Sequence, residues 1–326
     1  MIGRYVLGVA AALGAGAAYN AGQLAQKIAV NRLREPAGPV RGLRSTLFVR
    51  LLASRLWLAG LAVVLLAGTP LNVVAALWLG PAILPGLMSL GLVVLAVGAV
   101  VVAGEQLGAG DIAGIALVMA GIVLVGTSRL RIDVSEAGLH APATLARLAA
   151  FTLCTASLGT VLLAAASRTR GARGPLRALA AGLFYAPSNL WLAELMNALD
   201  HWLAGGPIRE GLGLAAAALG IIVASSLLGT VVIQHAYRVG NASRVVPIQM
   251  VPQQVVPILA FLLVFQSPAP SAWALPLAAG GAALVLGGAS FLASRQARAG
   301  TPEPRHDQPP VDPPTAPVYP RRQEGP

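Results

Sequence analysis

Nine runs of roughly twenty apolar residues follow one another along the chain, at about 4–27, 56–78, 81–103, 110–127, 147–167, 176–199, 213–235, 244–265 and 271–293. About 20 such residues in a helix cross the hydrocarbon layer of a bilayer. The runs are continuous and do not alternate apolar with polar. A β-barrel is therefore excluded, and helices are required, because lipid offers no partner for free backbone groups. The pattern predicts an all-α polytopic membrane protein with nine transmembrane helices. The first run exceeds a signal-peptide core and ends in the polar residues Gln23, Gln26 and Lys27, so it is read as a retained span.

Lys and Arg placement gives the expected orientation. All but five of the 23 basic residues fall in the segments after odd-numbered runs or in the C-terminal tail, the five being Arg4, Arg129, Arg131, Arg147 and Arg209. Positive charge concentrates on the cytoplasmic side of membrane proteins. The expectation is an outer N-terminus and an inner C-terminus in the plasma (inner) membrane. Among the segments after odd-numbered runs, only the one after the third, at the turn with Glu105 and Asp111, carries no basic residue.

Composition narrows the class. The chain has 326 residues, 56% of them hydrophobic and 11% charged, with a mean hydropathy of +0.73. Soluble domains carry about 25% charged residues, so an ordinary soluble enzyme, a disordered protein and a secreted disulfide scaffold are all excluded. The single cysteine, Cys154, excludes an internal disulfide and a cysteine-based metal cluster. The net charge of +11 follows from the basic inner segments and does not point to nucleic acid. No metal-binding spacing, nucleotide fingerprint or nucleophile elbow is present. No metal, cofactor or enzymatic role is expected, and any transport is secondary and not ATP-driven.

A repeat is visible. Residues 76–85 and 236–247 each place a Gly (Gly80, Gly240) before small residues and then a helix-embedded Pro (Pro85, Pro247). Each continues through an apolar run to a polar break, at Glu105 and at Gln266–Ser267, and then into a Gly/Ala-rich span. The two copies enter the membrane from opposite sides, as inverted repeats do, and such repeats place a binding site at their interface. The expected division is a first repeat over 1–127 with four helices and a basic loop at 28–55. An external connection follows at 128–146, then a second repeat over 147–294 with five helices, and a disordered tail over 295–326.

These residues carry a resemblance to a known family. Gly104, Glu105, Leu107, Asp111, Gly114 and Gly121 sit where the EamA-type repeat of the drug/metabolite transporter superfamily has its Gly-Glu pair, polar turn and Gly-rich span. The nine-span plan resembles the NIPA-like branch more closely, through Trp57, Gly60, Asn72, Ala75, Pro81, Ala82 and Pro85, and through Gln234, Tyr237, Asn241, Val246 and Pro247. The resemblance implies a transporter of small organic solutes, or of Mg²⁺ for the NIPA-like branch. Of the acidic residues only Glu194 lies well inside a run, which suits a doubly charged, strongly hydrated ion poorly. An organic or unknown solute is the expected cargo, with Mg²⁺ and a non-transporting membrane scaffold as the rivals.

Several residues are candidates for the solute path. Pro247, Pro252 and Pro257 each remove a helical hydrogen bond, and Pro81 and Pro85 occupy the counterpart position in the first half. Gln249 and Gln253 share a face, with Gln254 adjacent. Asn20 and Gln23 lie on one stripe of the first helix, and Asn72 lies in the second. Amides in hydrocarbon are costly unless paired, so they either border a cavity or tie helices together. Lys27 is expected to reach out to water at a helix end, and His235 to sit at a solvated helix end. Glu194 is either a coupling carboxylate or an interfacial side chain beside Trp191 and Trp202. Small-residue stripes, Gly8–Ala12–Gly16, Gly110–Gly114 and Ala279–Ala283–Gly287, suit close helix packing or a homodimer contact. The remaining expected partners are the lipid bilayer and the small-molecule or ion substrate.

Overall fold

The computed structural model describes residues 2–33, 45–79, 84–130, 142–169, 171–203, 205–209, 211–266 and 268–299. Every regular element among them is helical. They are α1 (Ile2–Arg32), α2 (Ser45–Leu52), α3 (Arg55–Ala62), α4 (Thr69–Leu79), α5 (Leu84–Ser89), α6 (Gly91–Val101), α7 (Ala109–Thr127), α8 (Pro142–Arg168), α9 (Arg173–Leu203), α10 (Leu212–Tyr237), α11 (Ala242–Ala260) and α12 (Ala274–Ala299). Two π-helical stretches, Val63–Gly68 and Phe261–Phe265, continue α3 into α4 and extend α11.

Among the described residues six helical stretches are long and apolar enough to cross a membrane: Arg55–Ala75, Ala109–Thr127, Pro142–Arg168, Leu212–Tyr237, Ala242–Phe265 and Ala274–Arg298. The other three apolar runs differ from these. The first and sixth fall on α1 and α9, both of 31 residues, whose polar residues dilute the apolar window. The third is divided between α5 and α6 at Leu90. Large apolar side chains cover the outside, with Leu66, Val101 and Trp273 about three-quarters exposed (77%, 75% and 74%). A surface of that kind is stable against lipid and a liability in water.

Glycines set the helix contacts. Without a hydrophobic force between helices in lipid, close van der Waals approach and interhelical hydrogen bonds hold them together. A Cβ added at Gly121 would lie 2.6 Å from the Gly281 carbonyl oxygen, and one at Gly281 would lie 2.7 Å from that of Gly121. Gly288 meets the Gly114 carbonyl in the same way. Helices α7 and α12 therefore pack antiparallel and in close contact. Helix α1 touches α3 at Gly22–Gly60 and α6 at Gly16–Gly91, and α9 touches α11 where Gly182 meets the Gln249 carbonyl and Pro252. Each of the two 31-residue helices is thus a pillar for the helices that follow it.

Some expectations are corrected here. The stripe Ala279, Ala283, Gly287 faces outward and takes no part in packing within the chain, which leaves its reading as a contact with a second copy untouched. The packed face of α12 is the one with Gly281, Val285, Gly288 and Leu292, because an Ala/Gly-rich helix offers the same four-residue spacing on several faces. Gly8, Ala12 and Gly16 do pack, against Leu79, within the core and against Met88. The tail does not begin at 295, since α12 runs to Ala299 and is held there by Arg295. The connection placed at 128–146 is shorter at its far end, because α8 begins at Pro142. The basic loop expected over 28–55 has helix at both ends, α1 to Arg32 and α2 from Ser45. Residues 34–44, Pro81, 131–141 and 300–326 lie outside the described residues.

The packing predicts opposite outcomes at two glycines of α12. Gly281→Val forces α7 and α12 apart and destabilises the protein by about 2 kcal/mol or more, as overpacking does. Gly287→Val meets nothing within 4 Å and stays within about 0.5 kcal/mol of the parent. Unfolding curves of both variants in detergent micelles check this, and equal effects would contradict the contact.

Candidate functional site

The C-terminal end of α1, the turn between α6 and α7, the start of α9, the turn between α10 and α11 and the end of α12 gather at one end of the bundle. A cavity of about 640 Å³ opens there, lined by Lys27, Glu105, Asp111, Arg238, Arg244 and Arg295, with Asn31 and Asn241 among its neutral polar residues.

The α10–α11 turn is the centre of this end. A helix leaves its last carbonyls and its first N–H groups without internal partners. Lys27 of α1 donates from Nζ to the carbonyls of Tyr237 and Gly240, at the end of α10. Glu105 accepts from the backbone N–H of Ala242 at 2.6 Å and of Ser243 at 3.2 Å, and from the Ser243 hydroxyl at 2.6 Å, at the start of α11. A cation thus sits at a helix C-terminus and an anion at a helix N-terminus, the favourable sign in each case. Gly104 makes the second contact reachable: its φ of +67° turns the chain out of α6 immediately before Glu105, a conformation that suits glycine.

Asp111, in the first turn of α7, is the second junction. Its carboxylate is 0% exposed. It accepts from Arg244 Nε at 2.9 Å and Nη2 at 3.0 Å, a two-pronged contact, and from Arg295 Nε at 2.9 Å. It also accepts from the Gly108 N–H at 3.0 Å, which caps its own helix. Arg244 lies near the start of α11, where a cation is disfavoured by the helix dipole, and Asp111 offsets that. The side chain of Arg295 is 36% exposed and marks the mouth of the cavity.

Neutral polar contacts extend the junction inward. Gln234 Nε2 donates to Gln26 Oε1 at 2.8 Å, and the Tyr237 hydroxyl donates to Gln23 Oε1 at 3.4 Å. Gln296 joins α12 to the turn through Val239 and Asn241. His235 is buried, not solvated, with Nδ1 2.8 Å from the Val231 carbonyl. Lys27 is likewise buried and does not reach out to water.

The amides singled out from sequence occupy other depths of the bundle. Asn20 is buried and donates to the Gly16 carbonyl at 2.8 Å, while its Oδ1 has no protein partner. The Oδ1 of Asn72 and the Oε1 of Gln249 are also buried without a protein partner. Gln253 and Gln254 are part-buried. None of these five, and not Gln23 either, lines the cavity at the charged end. Pro247, Pro252 and Pro257 all lie within the continuous helix α11, and Pro85 lies in α5. Pro187 in α9 is a further internal proline. Glu194 is 1% exposed, and Trp191, one turn before it, is buried and donates from Nε1 to Thr152 Oγ1 at 2.9 Å. Glu194 therefore lies inside the bundle and not on its outer surface.

The charged end went unrecognised in the sequence because each member looks like an ordinary helix-end residue. The usable signal was the set of single charges at the edges of apolar runs assigned to one side of the membrane: Lys27, Glu105, Asp111, Arg244 and Arg295. At this end, Asp111→Asn removes the charge that holds two guanidinium groups and lowers stability by about 3 kcal/mol. Glu105→Ala strips a helix cap and costs about 1 kcal/mol. Denaturant unfolding measures both, and a cost for Asp111→Asn no larger than that for Glu105→Ala contradicts the assignment. Comparison of the chain with protein-family models, with curated proteins and with solved structures finds no match.

Proposed function

We propose that the chain is a secondary transporter of the drug/metabolite transporter type that moves a small organic solute across the plasma membrane. In this reading nine spans form two inverted halves, with the N-terminus outside and the C-terminus inside, and the halves rock against each other. The observation that carries the reading is the set of buried acceptor oxygens on Asn20, Asn72, Gln234 and Gln249, which no protein group meets. They come from α1, α4, α10 and α11, so from both halves. An unmet acceptor in an apolar bundle is costly, and a passing polar solute or water is the natural partner.

Two features support the inverted arrangement. Helices α7 and α12, which end the two halves, contact each other antiparallel and reciprocally through Gly121 and Gly281. Helix α1 of the first half and helix α9 of the second have equal length, and each packs closely along helices that follow it. The junction of Lys27, Glu105 and Asp111 with α10, α11 and α12 then acts as the latch of the closed inner side. Mg²⁺ fits this end less well than an organic solute does. Among the described residues no three His, Cys, Asp or Glu side chains gather, and both carboxylates of the cavity are already engaged.

The test reconstitutes the parent protein in liposomes for the uptake panel, and for the bridging step a Cys154→Ser variant with cysteines in place of Asn31 and Asn241, both on the wall of the charged cavity. Uptake is measured over a panel of organic acids, amino acids, sugars and magnesium. At least one organic solute enters faster than into empty liposomes. Bridging the pair with a bifunctional thiol reagent lowers that rate by about tenfold, because it holds one state of the rocking cycle, and reduction restores it. Absence of uptake for the whole panel, as a scaffold would give, sinks the proposal, and so does uptake indifferent to the bridge. Glu194 is assigned the coupling carboxylate. Glu194→Gln abolishes accumulation driven by a pH gradient and leaves solute exchange intact, and unchanged coupling removes that role.

A further inference from the structure

The cavity at the charged end has a definite sign. Four of its lining side chains are cationic, Lys27, Arg238, Arg244 and Arg295, and two are anionic, Glu105 and Asp111. The lining thus counts two more cationic than anionic side chains, and a concave space lined with more of one sign draws ions of the other. A volume of about 640 Å³ lies within the usual range for small-molecule sites, about 300–1,000 Å³.

The carboxylates are committed. Both oxygens of Glu105 accept from the start of α11. Both oxygens of Asp111 accept from guanidinium groups, and one of them also from the Gly108 N–H. An entering cation would have to break one of these sets. The guanidinium groups are less fully used. Arg244 and Arg295 each turn Nε and Nη2 towards Asp111 and keep Nη1 outside that contact. Nη1 with the second N–H of Nη2 forms the other fork of each guanidinium, and a fork matches the geometry of a carboxylate or a phosphate.

We infer that this cavity is a binding site for an anionic oxygen head, a carboxylate or a phosphate, with Arg244 and Arg295 as its principal donors. The head belongs either to a dissolved organic anion or to an anionic lipid. The inference deepens the carrier reading, since a dissolved anion bound here would be its cargo, but it is tested by binding alone.

Full-length protein is placed in nanodiscs of neutral phosphatidylcholine. Sodium phosphate and sodium succinate are titrated against sodium chloride and magnesium chloride at matched ionic strength. A parallel sample replaces part of the lipid with phosphatidylglycerol. The expected result is a rise in the unfolding midpoint of about 3 °C with phosphate or succinate, by ligand linkage, and none with magnesium. Arg295→Gln weakens the affinity about tenfold through loss of a charged hydrogen-bond donor. Arg238→Gln, at a wall residue other than the two that hold Asp111, weakens it too and serves if Arg295→Gln fails to fold. Stabilisation by phosphatidylglycerol alone, sensitive to the same substitutions, supports the site with lipid as its occupant. Stabilisation by neither dissolved anion nor anionic lipid overturns the inference, as does an affinity that both substitutions leave unchanged. Anion binding without flux keeps this site and removes the carrier reading, whereas flux without anion binding does the reverse.

Discussion

Two side chains from the first half of the chain hold the two helix ends that meet at the α10–α11 turn of the second. Lys27 neutralises the carbonyl end of α10, and Glu105 satisfies the N–H end of α11. Exposed backbone groups at a helix end are costly wherever water is scarce, and local capping residues usually meet that need. Here the caps come from far along the chain. The turn therefore has its full set of partners only when α1 and the α6–α7 segment lie beside it. Asp111 repeats the arrangement one turn further on, joining α7 to α11 and α12 through Arg244 and Arg295. Closure of this end and satisfaction of its polar groups are the same event.

The rest of the bundle depends on a different kind of contact. Glycine pairs such as Gly22–Gly60 and Gly121–Gly281 bring backbones into direct approach, while Leu, Val and Trp side chains face outward. In lipid, burying a leucine between helices gains little over leaving it among acyl chains, so small residues are placed inside and large ones outside. The charged end and the glycine seams divide the work: the seams set helix spacing along the membrane, and the ionic contacts fix which ends come together.

Between them lies the feature that bears on function. Asn20, Asn72, Gln234 and Gln249 carry buried oxygens with no protein partner, in a bundle where the neighbouring polar groups Gln26, Tyr237 and Lys27 are paired. An unmet acceptor in an apolar bundle is costly, and the proposed solute path rests on these four.

The sequence by itself determined the class of the protein: helical, lipid-facing, with basic residues gathered on alternate connections. That much follows from local pattern, because hydrocarbon leaves the backbone no option but internal hydrogen bonds and each helix declares itself in its own window of residues. The structure brings Lys27, Arg177, Arg238, Arg244 and Arg295 to one end of the bundle. Local pattern also marked Asn20, Gln23, Asn72, Gln249, Gln253 and Gln254 as polar residues in apolar surroundings. Tertiary structure alone decided the partners. Glu105 with Ser243, Asp111 with Arg244 and Arg295, and Gly281 instead of Gly287 as the seam of α12 all depend on which helix lies beside which. Spacing within a segment is the same for a charge that ends in solvent and one that caps a helix more than a hundred residues away, so only the packed arrangement tells them apart.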